Sequence, residues 1–469
     1  MLGHYHKCQR PDPKRMKRFM YATLVLTMLS LCVPFLIYRY DKTFQLWADY
    51  LKIRIAPRRC IPGKTVLQGQ SASLVTVNGT NTLLVSAYLE HRTKNKEVRV
   101  IAIVLRSEKI SYLCHLRCQE QLHFSNGWSY NHRDHFHFPY GTADIMCPLP
   151  SECKTPSHVA VTSAATKSED VLGHEFLEVK NLNAKNNSYP YNFTVCLSTM
   201  FDFTNVLQLV QSFEMFQILG VNRVVVYKTN CSVETQRVLD YYTKKGFIEV
   251  IPWSLSSFLN VSRGWLPKHG PGELHYLGQI PALNDCLYRY MYKTRYVALH
   301  DIDELILPLS VNSWLELFPL LTKKIGADKC YKFESNVFPN NVMLPPPKPH
   351  TAPPQGLWAN VSGVNILDHL YQEPVMRQAK TNWVDFKIIT NPRLVFSLTV
   401  HGVLPPDKIC KWVDRKIARM YHTRPKQQPD LKPEQLIYDS RLLNYSTRLI
   451  PTVSTVLTEN GLLPPGRLC

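Results

Sequence analysis

Between Asn192 and Asp301, short β-branched runs alternate with stretches of helical period, and nothing else in the 469-residue chain restricts its fold as strongly. NFTVCLSTMF (Asn192–Phe201) reads as a strand. Thr204–Leu219 reads as a helix, with Val206, Leu209, Val210, Phe213 and Phe216 near helical spacing and Gly220 as its stop. NRVVVYKT (Asn222–Thr229) is a second strand. Ser232 caps a second helix that runs through Lys245 to Gly246, and FIEVIPW (Phe247–Trp253) is a third strand. A helix over Gln279–Tyr292 then leads into the strand YVALHD. Such alternation with short connections predicts an α/β fold built on a doubly wound, mostly parallel sheet, whose ligands bind at the carboxyl ends of the strands.

The fourth strand ends in Asp301, Ile302, Asp303 and Glu304. Clustered carboxylates are costly unless a positive group sits among them. Two residues apart on extended backbone, Asp301 and Asp303 point to the same side. Converging oxygens of this kind suit a divalent cation such as Mn²⁺ or Mg²⁺, which can hold a diphosphate and neutralise it as it leaves. The alternative is that these acids cap a following helix and pair with Lys or Arg. An aspartyl-phosphate phosphatase is disfavoured, because Leu305 stands where its motif has Thr or Val and no later acidic motif serves its magnesium.

The net charge of +19 suggests an anionic partner. Nucleic acid is excluded as that partner, because no basic helix face, finger spacing or aromatic-basic strand motif is present. Part of the charge is local: residues 1–18 hold six Lys or Arg against Asp12. The next segment, Phe19–Tyr38, is free of charge and long enough to cross a bilayer as a helix. With basic residues before it, a cytosolic tail (1–18), a single-pass type II anchor (19–38) and a luminal body are expected. Seven Asn-x-Ser/Thr sequons follow, at Asn78, Asn186, Asn192, Asn230, Asn260, Asn360 and Asn444. So do eleven of the 13 cysteines, an odd number that leaves at least one without a partner in the chain. Cys114, Cys118, Cys147 and Cys153 are spaced to staple one small domain, although Cys114 and Cys118 also resemble half of a zinc site.

The luminal part divides into a stem (39–63), a small β-rich domain (64–165), a polar linker (Lys167–Pro190), an α/β domain (190–430) and a C-terminal extension (431–469). In the β-rich domain, His132, His135 and His137 look metal-like, and His135 and His137 would share a strand face. Surface or packing histidines are the favoured reading, since no acidic or Cys partner stands at ligand spacing. No oligomeric state is specified by any of these patterns.

The run HYLGQIPALNDCLYRYMYKTRYVALHDIDELILP (His275–Pro308) resembles glycosyltransferase family 92, and so does the earlier stretch from NFTVCLSTMF to NRVVVYKTN. FKIITNPRLVFSLTVHGV (Phe386–Val403) and MYHTR (Met420–Arg424) resemble later segments of that family, although the last has His-Thr-Arg where His-Tyr-Arg is usual. The resemblance spans roughly Tyr191–Arg424. It implies a GT-A fold and a Golgi enzyme that moves galactose from UDP-galactose, with Mn²⁺, onto a glycan as a β-linked galactoside. Asp301 and Asp303 would be its metal motif, with His401 or His422 completing the shell.

Under that resemblance Ser198 and Thr199, at the end of the first strand, and Tyr227, at the end of the second, would receive the uridine. Gln279, Asn284 and Asp285 would face the same region, and Lys387 or Arg424 would add positive charge on the diphosphate. Asp385, Glu334 and Glu304 are the candidates for the base that takes the acceptor proton. Two other functions compete. One is a transferase fold without activity that holds glycans or partner enzymes, and the other is a transferase that uses a different UDP-sugar.

Overall fold

The computed structural model describes residues 74–165, 174–184, 188–348, 356–375, 385–404 and 408–464. The chain separates into two compact units, Met1–Gly69 and Gln70–Cys469, and every described residue belongs to the second. The expected cytosolic tail (1–18), anchor (19–38) and stem (39–63) therefore lie outside the described residues, as does the sequon at Asn186. Among the described residues no helix is long and apolar enough to cross a membrane.

The N-terminal strands form a closed barrel. They are β1 (Val75–Thr76), β2 (Leu83–Glu90), β3 (Glu97–Leu105), β4 (Tyr112–Cys118), β5 (Gln121–Asn131), β6 (Tyr140–Pro148), β7 (His158–Ser163) and β8 (Leu177–Lys180). The hydrogen-bonded order is β1-β2-β3-β6-β5-β4-β7-β8, and β8 pairs back onto β2 to close seven strands on themselves. The closing strand comes from a stretch that the sequence presents as a polar linker. Alternate residues such as Leu84, Val98, Val100, Ala102, Leu116 and Ile145 fill the interior. Disulfides Cys114–Cys147 and Cys118–Cys153 staple the wall, so this cysteine set serves no zinc site.

The second sheet holds β9 (Tyr191–Leu197), β10 (Arg223–Lys228), β11 (Ile248–Pro252), β12 (Thr294–His300), β13 (Glu304–Pro308) and β14 (Cys330–Pro339). A short ribbon strand, β15 (Tyr371–Gln372), lies outside it and pairs with Ile437–Tyr438. The sheet is completed by β16 (Phe386–Thr390), β17 (Cys410–Trp412) and β18 (Ala418–Arg424). Its order is β11-β10-β9-β12-β16-β14-β18-β13, with β17 beside β14. The helices are α1 (Val206–Leu219), α2 (Val233–Lys244), α3 (Gln279–Tyr290), α4 (Trp314–Ile325) and α5 (Ser446–Glu459). Ser232 caps α2 by accepting the Thr235 amide hydrogen, and Gly220 ends α1 in the left-handed region.

The expected doubly wound, mostly parallel sheet is not what the described chain forms, and the small β domain before it is a closed barrel. Winding holds only for β11-β10-β9-β12, which are parallel. Beyond Glu304 strands follow one another with only α4 among them. The sheet becomes mixed there, with antiparallel pairs β12–β16, β14–β16 and β13–β18. Sequential strands without crossover helices have no route back to a parallel neighbour except through long loops. The result is a strand-rich molecule with five α-helices among the described residues.

Both α1 and α3 are buried nearly all round, which a two-layer arrangement would not achieve. α5, from the expected C-terminal extension, covers the outer side of α1 through Leu449, Val453 and Leu457. The outer wall of the barrel covers α3: Tyr88, Ile101 and Ile103 share one core with Leu283, Leu287 and Val225. Cys196–Cys286 ties α3 to β9, and Cys330–Cys410 ties β14 to β17. Cys231 is the free cysteine among the described residues.

Asp285 sits at the barrel–sheet junction, fully buried. It accepts hydrogen bonds from Tyr88 of the barrel (2.6 Å), Tyr227 of the sheet (2.5 Å) and Arg289 (2.9 Å). Burial opposes its charge, but Arg289 and Lys180 outweigh it and hold the carboxyl down at about 2. Such a group stabilises the fold above the unfolded carboxyl value and ceases to as pH falls toward 2. Asp285→Asn should therefore lower stability by about 3–5 kcal/mol at pH 7, as expected for half of a buried ion pair. Denaturant melts from pH 6 to pH 2.5 should show the gap to wild type shrinking below about pH 4. A gap that stays constant with pH would refute the charged junction.

Candidate active site

The carboxyl ends of β9 and β12 open into a cleft of about 1130 Å³. Ser198 donates its amide hydrogen to the His300 carbonyl across those strands (3.1 Å). After His300 the chain does not continue extended. Residues 301–303 form a turn closed by the Glu304 amide on the Asp301 carbonyl (3.2 Å). Ser212 of α1 grips its tip by donating to the Ile302 carbonyl (2.6 Å). Asp301 and Asp303 are consequently not two alternate residues of one strand face.

The turn shares the acids between two basic partners, with Glu304 near both Lys387 (3.1 Å) and His422 (3.8 Å). Lys387 of β16 is buried and donates to Asp301 (2.7 Å) and Glu304 (3.1 Å). Glu304 also folds back to accept the Asp301 amide hydrogen (2.9 Å). The positive group that the cluster requires is thus supplied, in part, from within the chain. Burial works against the charge on Asp301, but Lys387 and the Ser198 hydroxyl hold the carboxyl well below its usual range. Burial pushes Glu304 up to about 7, with the Asp301 and Asp303 charges adding to it against Lys387. Lys387 is held above the usual ammonium range: burial opposes its charge and the two carboxylates outweigh it.

Asp303 is a third exposed and turns instead toward His422 of β18, at 3.3 Å. Register pairs Glu304 with His422, and the Thr423 amide donates to the Asp303 carbonyl (2.8 Å). Burial alone would discharge His422, but the hydrogen bond to Asp303 and the nearby carboxylates raise its affinity for a proton. One carboxylate and one imidazole fit a divalent cation that takes its remaining oxygens from a diphosphate and water. Among the described residues no three His, Cys, Asp or Glu form a complete cage.

The other expected residues divide plainly. Ser198, Thr199, Gln279, Asp385, Lys387, His401, His422 and Arg424 all line the cleft. Thr199 Oγ1, Gln279 Oε1 and Gln208 Nε2 also lie on its wall, buried and without a hydrogen-bond partner. Unpaired buried polar atoms are rare, and several lining one cleft point to a polar ligand. His401 lies against Trp265 (ring centroids 5.6 Å, 27° between planes) and is pushed down to about 4, chiefly by burial and then by Lys387.

Tyr227, Asn284 and Asp285 stay outside the cleft. Tyr227 is buried with its hydroxyl on Asp285, and no base can stack on it. Asn284 fastens residue 398 by accepting its amide hydrogen and donating to its carbonyl (2.9 Å each). Glu334 pairs with Arg415 (3.4 Å) away from the cleft, so it is not placed as a base. His132 is no metal ligand either: it bonds Asp144 (2.9 Å), which Arg99 also holds. His135 and His137 lie in the β5–β6 turn, not on a shared strand face.

Several cleft residues were missed by the sequence reading, among them Asp134, Phe136, Trp265, Tyr276 and Gln208. The first two belong to the segment singled out for its histidines. Trp265 sits in GWLPKHGPG, whose three glycines and two prolines are a loop signal.

The family model described as Glycosyltransferase family 92 matches residues 191–452. A glycosyltransferase family 92 protein of Caenorhabditis elegans is 25% identical over 138 residues, which are 29% of this chain and 27% of that protein. Another from the same organism is 29% identical over 86 residues, 18% of this chain and 17% of its own length. Beta-1,4-galactosyltransferase galt-1 of Caenorhabditis elegans is 23% identical over 235 residues, 48% of this chain and 51% of that protein. The matches thus span about half of these relatives or less. Among solved structures, glucosyl-3-phosphoglycerate synthase of Mycobacterium tuberculosis, in complex with Mn²⁺, UDP and glucosyl-3-phosphoglycerate, matches 59% of this chain and 82% of its own. The TM-score is 0.22 at 11% identity, too low to support any inference.

Proposed function

Because the chain belongs to glycosyltransferase family 92, we propose that it moves galactose from UDP-galactose, with inversion, to a hydroxyl of a glycan acceptor, most simply as a β-1,4-linkage. The carrying observation is the acidic turn at the carboxyl end of β12 in the cleft: buried Lys387 holds Asp301, whose side chain stays 30% exposed, and buried Glu304, while His422 meets Asp303 and, at 3.8 Å, Glu304. The relative galt-1 supports galactose as the sugar. At about 1130 Å³ the cleft exceeds the usual range for one small ligand and suits a nucleotide sugar beside an acceptor.

Ser198, Thr199, Gln208 and Gln279 present donors and acceptors to the nucleotide and its sugar. Asp303 and His422 would hold Mn²⁺ or Mg²⁺, which when bound supplies positive charge to the departing diphosphate. Lys387 holds the turn in place through Asp301, and Arg424 adds charge at the cleft edge. The acceptor oxygen forms its bond to the anomeric carbon as the bond to the β-phosphate oxygen breaks. The electron pair leaves with UDP, and the proton passes to a carboxylate. Asp385, in the cleft and close enough for its charge to act on His401, is the favoured base.

The four disulfides among the described residues support a compartment that is oxidising, such as the Golgi lumen. So do the six described sequons, all on exposed asparagines.

The test is UDP release by the full chain in detergent. UDP-galactose, UDP-glucose and UDP-N-acetylglucosamine would be offered with Mn²⁺ and with galactose- or fucose-terminated glycans. Release should favour UDP-galactose, need an acceptor and stop in EDTA. A folded protein that releases no UDP and is not thermally shifted by UDP would favour a glycan-binding role without catalysis.

A further inference from the structure

One side of the cleft is aromatic, and it is assembled from two different parts of the molecule. Phe136 comes from the turn between β5 and β6 of the barrel, and Trp265 and Tyr276 from the loop between β11 and α3. The Phe136 ring stands edge-on to Trp265 (4.9 Å) and stacks on buried His275 (4.1 Å, 19° between planes). Trp265 in turn meets Tyr276 (6.0 Å) and lies flat against His401 (5.6 Å). Asp134, two residues before Phe136, brings a carboxylate to the same wall.

This wall is held in place by its own backbone and by hydrogen bonds. Phe136 and His137 both take positive φ (49° and 67°), the tight reversal that places Phe136 in the cleft. In the Trp265 loop the backbone at Gly264 passes so close to Gly270 that an added Cβ would lie 2.5 Å from its nitrogen. Ser262 staples the loop by accepting the Gly264 amide hydrogen (2.9 Å) and donating to the Gly270 carbonyl (2.8 Å). The barrel is joined to this loop through the Tyr140 amide on the Glu273 carbonyl (2.9 Å). Tyr276 and Leu277 hold positive φ (33° and 57°), and such strain persists where the surroundings over-determine it, commonly at binding sites.

We propose that Phe136, Trp265 and Asp134 form the acceptor subsite, seating the terminal monosaccharide of the glycan, so that the barrel selects the acceptor. The inference rests on the transferase reading and adds to it Asp134 and Phe136, which precede the family match at 191–452, beside Trp265 within it. A pyranose carries C–H groups on one face and hydroxyls at its edge. It matches a surface with an aromatic plane and one adjacent carboxylate: the plane takes the C–H face and the carboxylate accepts from ring hydroxyls. The nucleotide end is built differently, from the polar strand ends at Ser198 and Thr199. Asp385, the favoured base, lines the same cleft as Trp265 and His401.

The test separates acceptor from donor. The full chain in detergent would be compared with Phe136→Ala, Phe136→Tyr and Asp134→Asn. Binding of methyl β-D-galactoside and methyl α-L-fucoside, in the presence of UDP, would be followed by saturation-transfer NMR, and UDP binding by the shift in Tm. Phe136→Ala and Asp134→Asn should weaken glycoside binding tenfold or more and raise acceptor KM equally. Phe136→Tyr should restore it, and the UDP shift should be unchanged in all three. Glycoside binding unaltered by Phe136→Ala overturns the subsite, as does a loss of UDP binding in parallel, which marks a structural role. The NMR readout needs no turnover. A wild type that binds glycosides through Phe136 but transfers no sugar would sink the transferase reading and leave the subsite standing. A wild type that binds neither glycoside overturns the subsite.

Discussion

Lys387→Met is expected to abolish sugar transfer and to destabilise the fold by about 3–5 kcal/mol, because it removes the buried cation that two carboxylates share. Asp301 and Glu304 would then face each other across a site that is closed to water on the Glu304 side. Glu304, already pushed up to about 7 with the lysine in place, would take a proton, and Asp301 would lose its tether. The turn at 301–303 would then be free to leave the geometry that aims Asp303 at His422. Thermal melts and UDP release on the same preparation check both effects. A Lys387→Met protein that melts with wild type would show that the buried ion group is not formed.

Asp303→Asn should separate what Lys387→Met combines. Its side chain is a third exposed and meets only His422 among the described ionisable partners, so the melting temperature should move little. Transfer should nevertheless fall by roughly 10²–10³-fold, the usual effect of removing one group that stabilises charge developing in the transition state. Initial rates at saturating UDP-galactose and increasing Mn²⁺ make the comparison. The same assay on Glu334→Gln supplies a control, since that side chain pairs with Arg415 outside the cleft and its loss should leave the rate within about twofold. A rate for Asp303→Asn equal to wild type would remove the acidic turn from the reaction.

Much of the acidic site was legible because it depends on short-range order. An apolar β-branched run that ends in acids, after three strand–helix steps, locates Asp301 and Asp303 at a strand's carboxyl end from the local pattern alone. The local pattern could not show that the chain turns at once, which splits the acids between Lys387 and His422. Lys387 lies 86 residues from Asp301, and only the antiparallel placement of β16 beside β12 brings its side chain under the turn. His422 was one of two histidines proposed for the metal. The pairing of β13 with β18 put it against Asp303, while His401 was placed on the aromatic wall.

The misplaced residues share one cause. Tyr227, Asn284 and Asp285 are polar groups near strand ends and on a helix, which in a two-layered sheet would face ligand or solvent. Here the barrel occupies the outer side of α3, and the three side chains satisfy one another, the barrel and residue 398. A buried polar group reads the same in sequence whether its partner is a ligand or another strand.

What the sequence determined by itself was the local order: four parallel strands with their helices, the Ser232 and Gly220 helix ends, and the cysteines that staple the barrel. Periodicity, capping and spacing act within a few residues and need no tertiary contact to be read. What only the tertiary structure decided was which surfaces meet. The closing of β8 onto β2, the barrel's cover over α3, the cation beneath the acidic turn and the wall shared by Phe136 and Trp265 all join residues far apart in the chain. Their stability comes from burial and charge pairing at the contact, which no local pattern encodes.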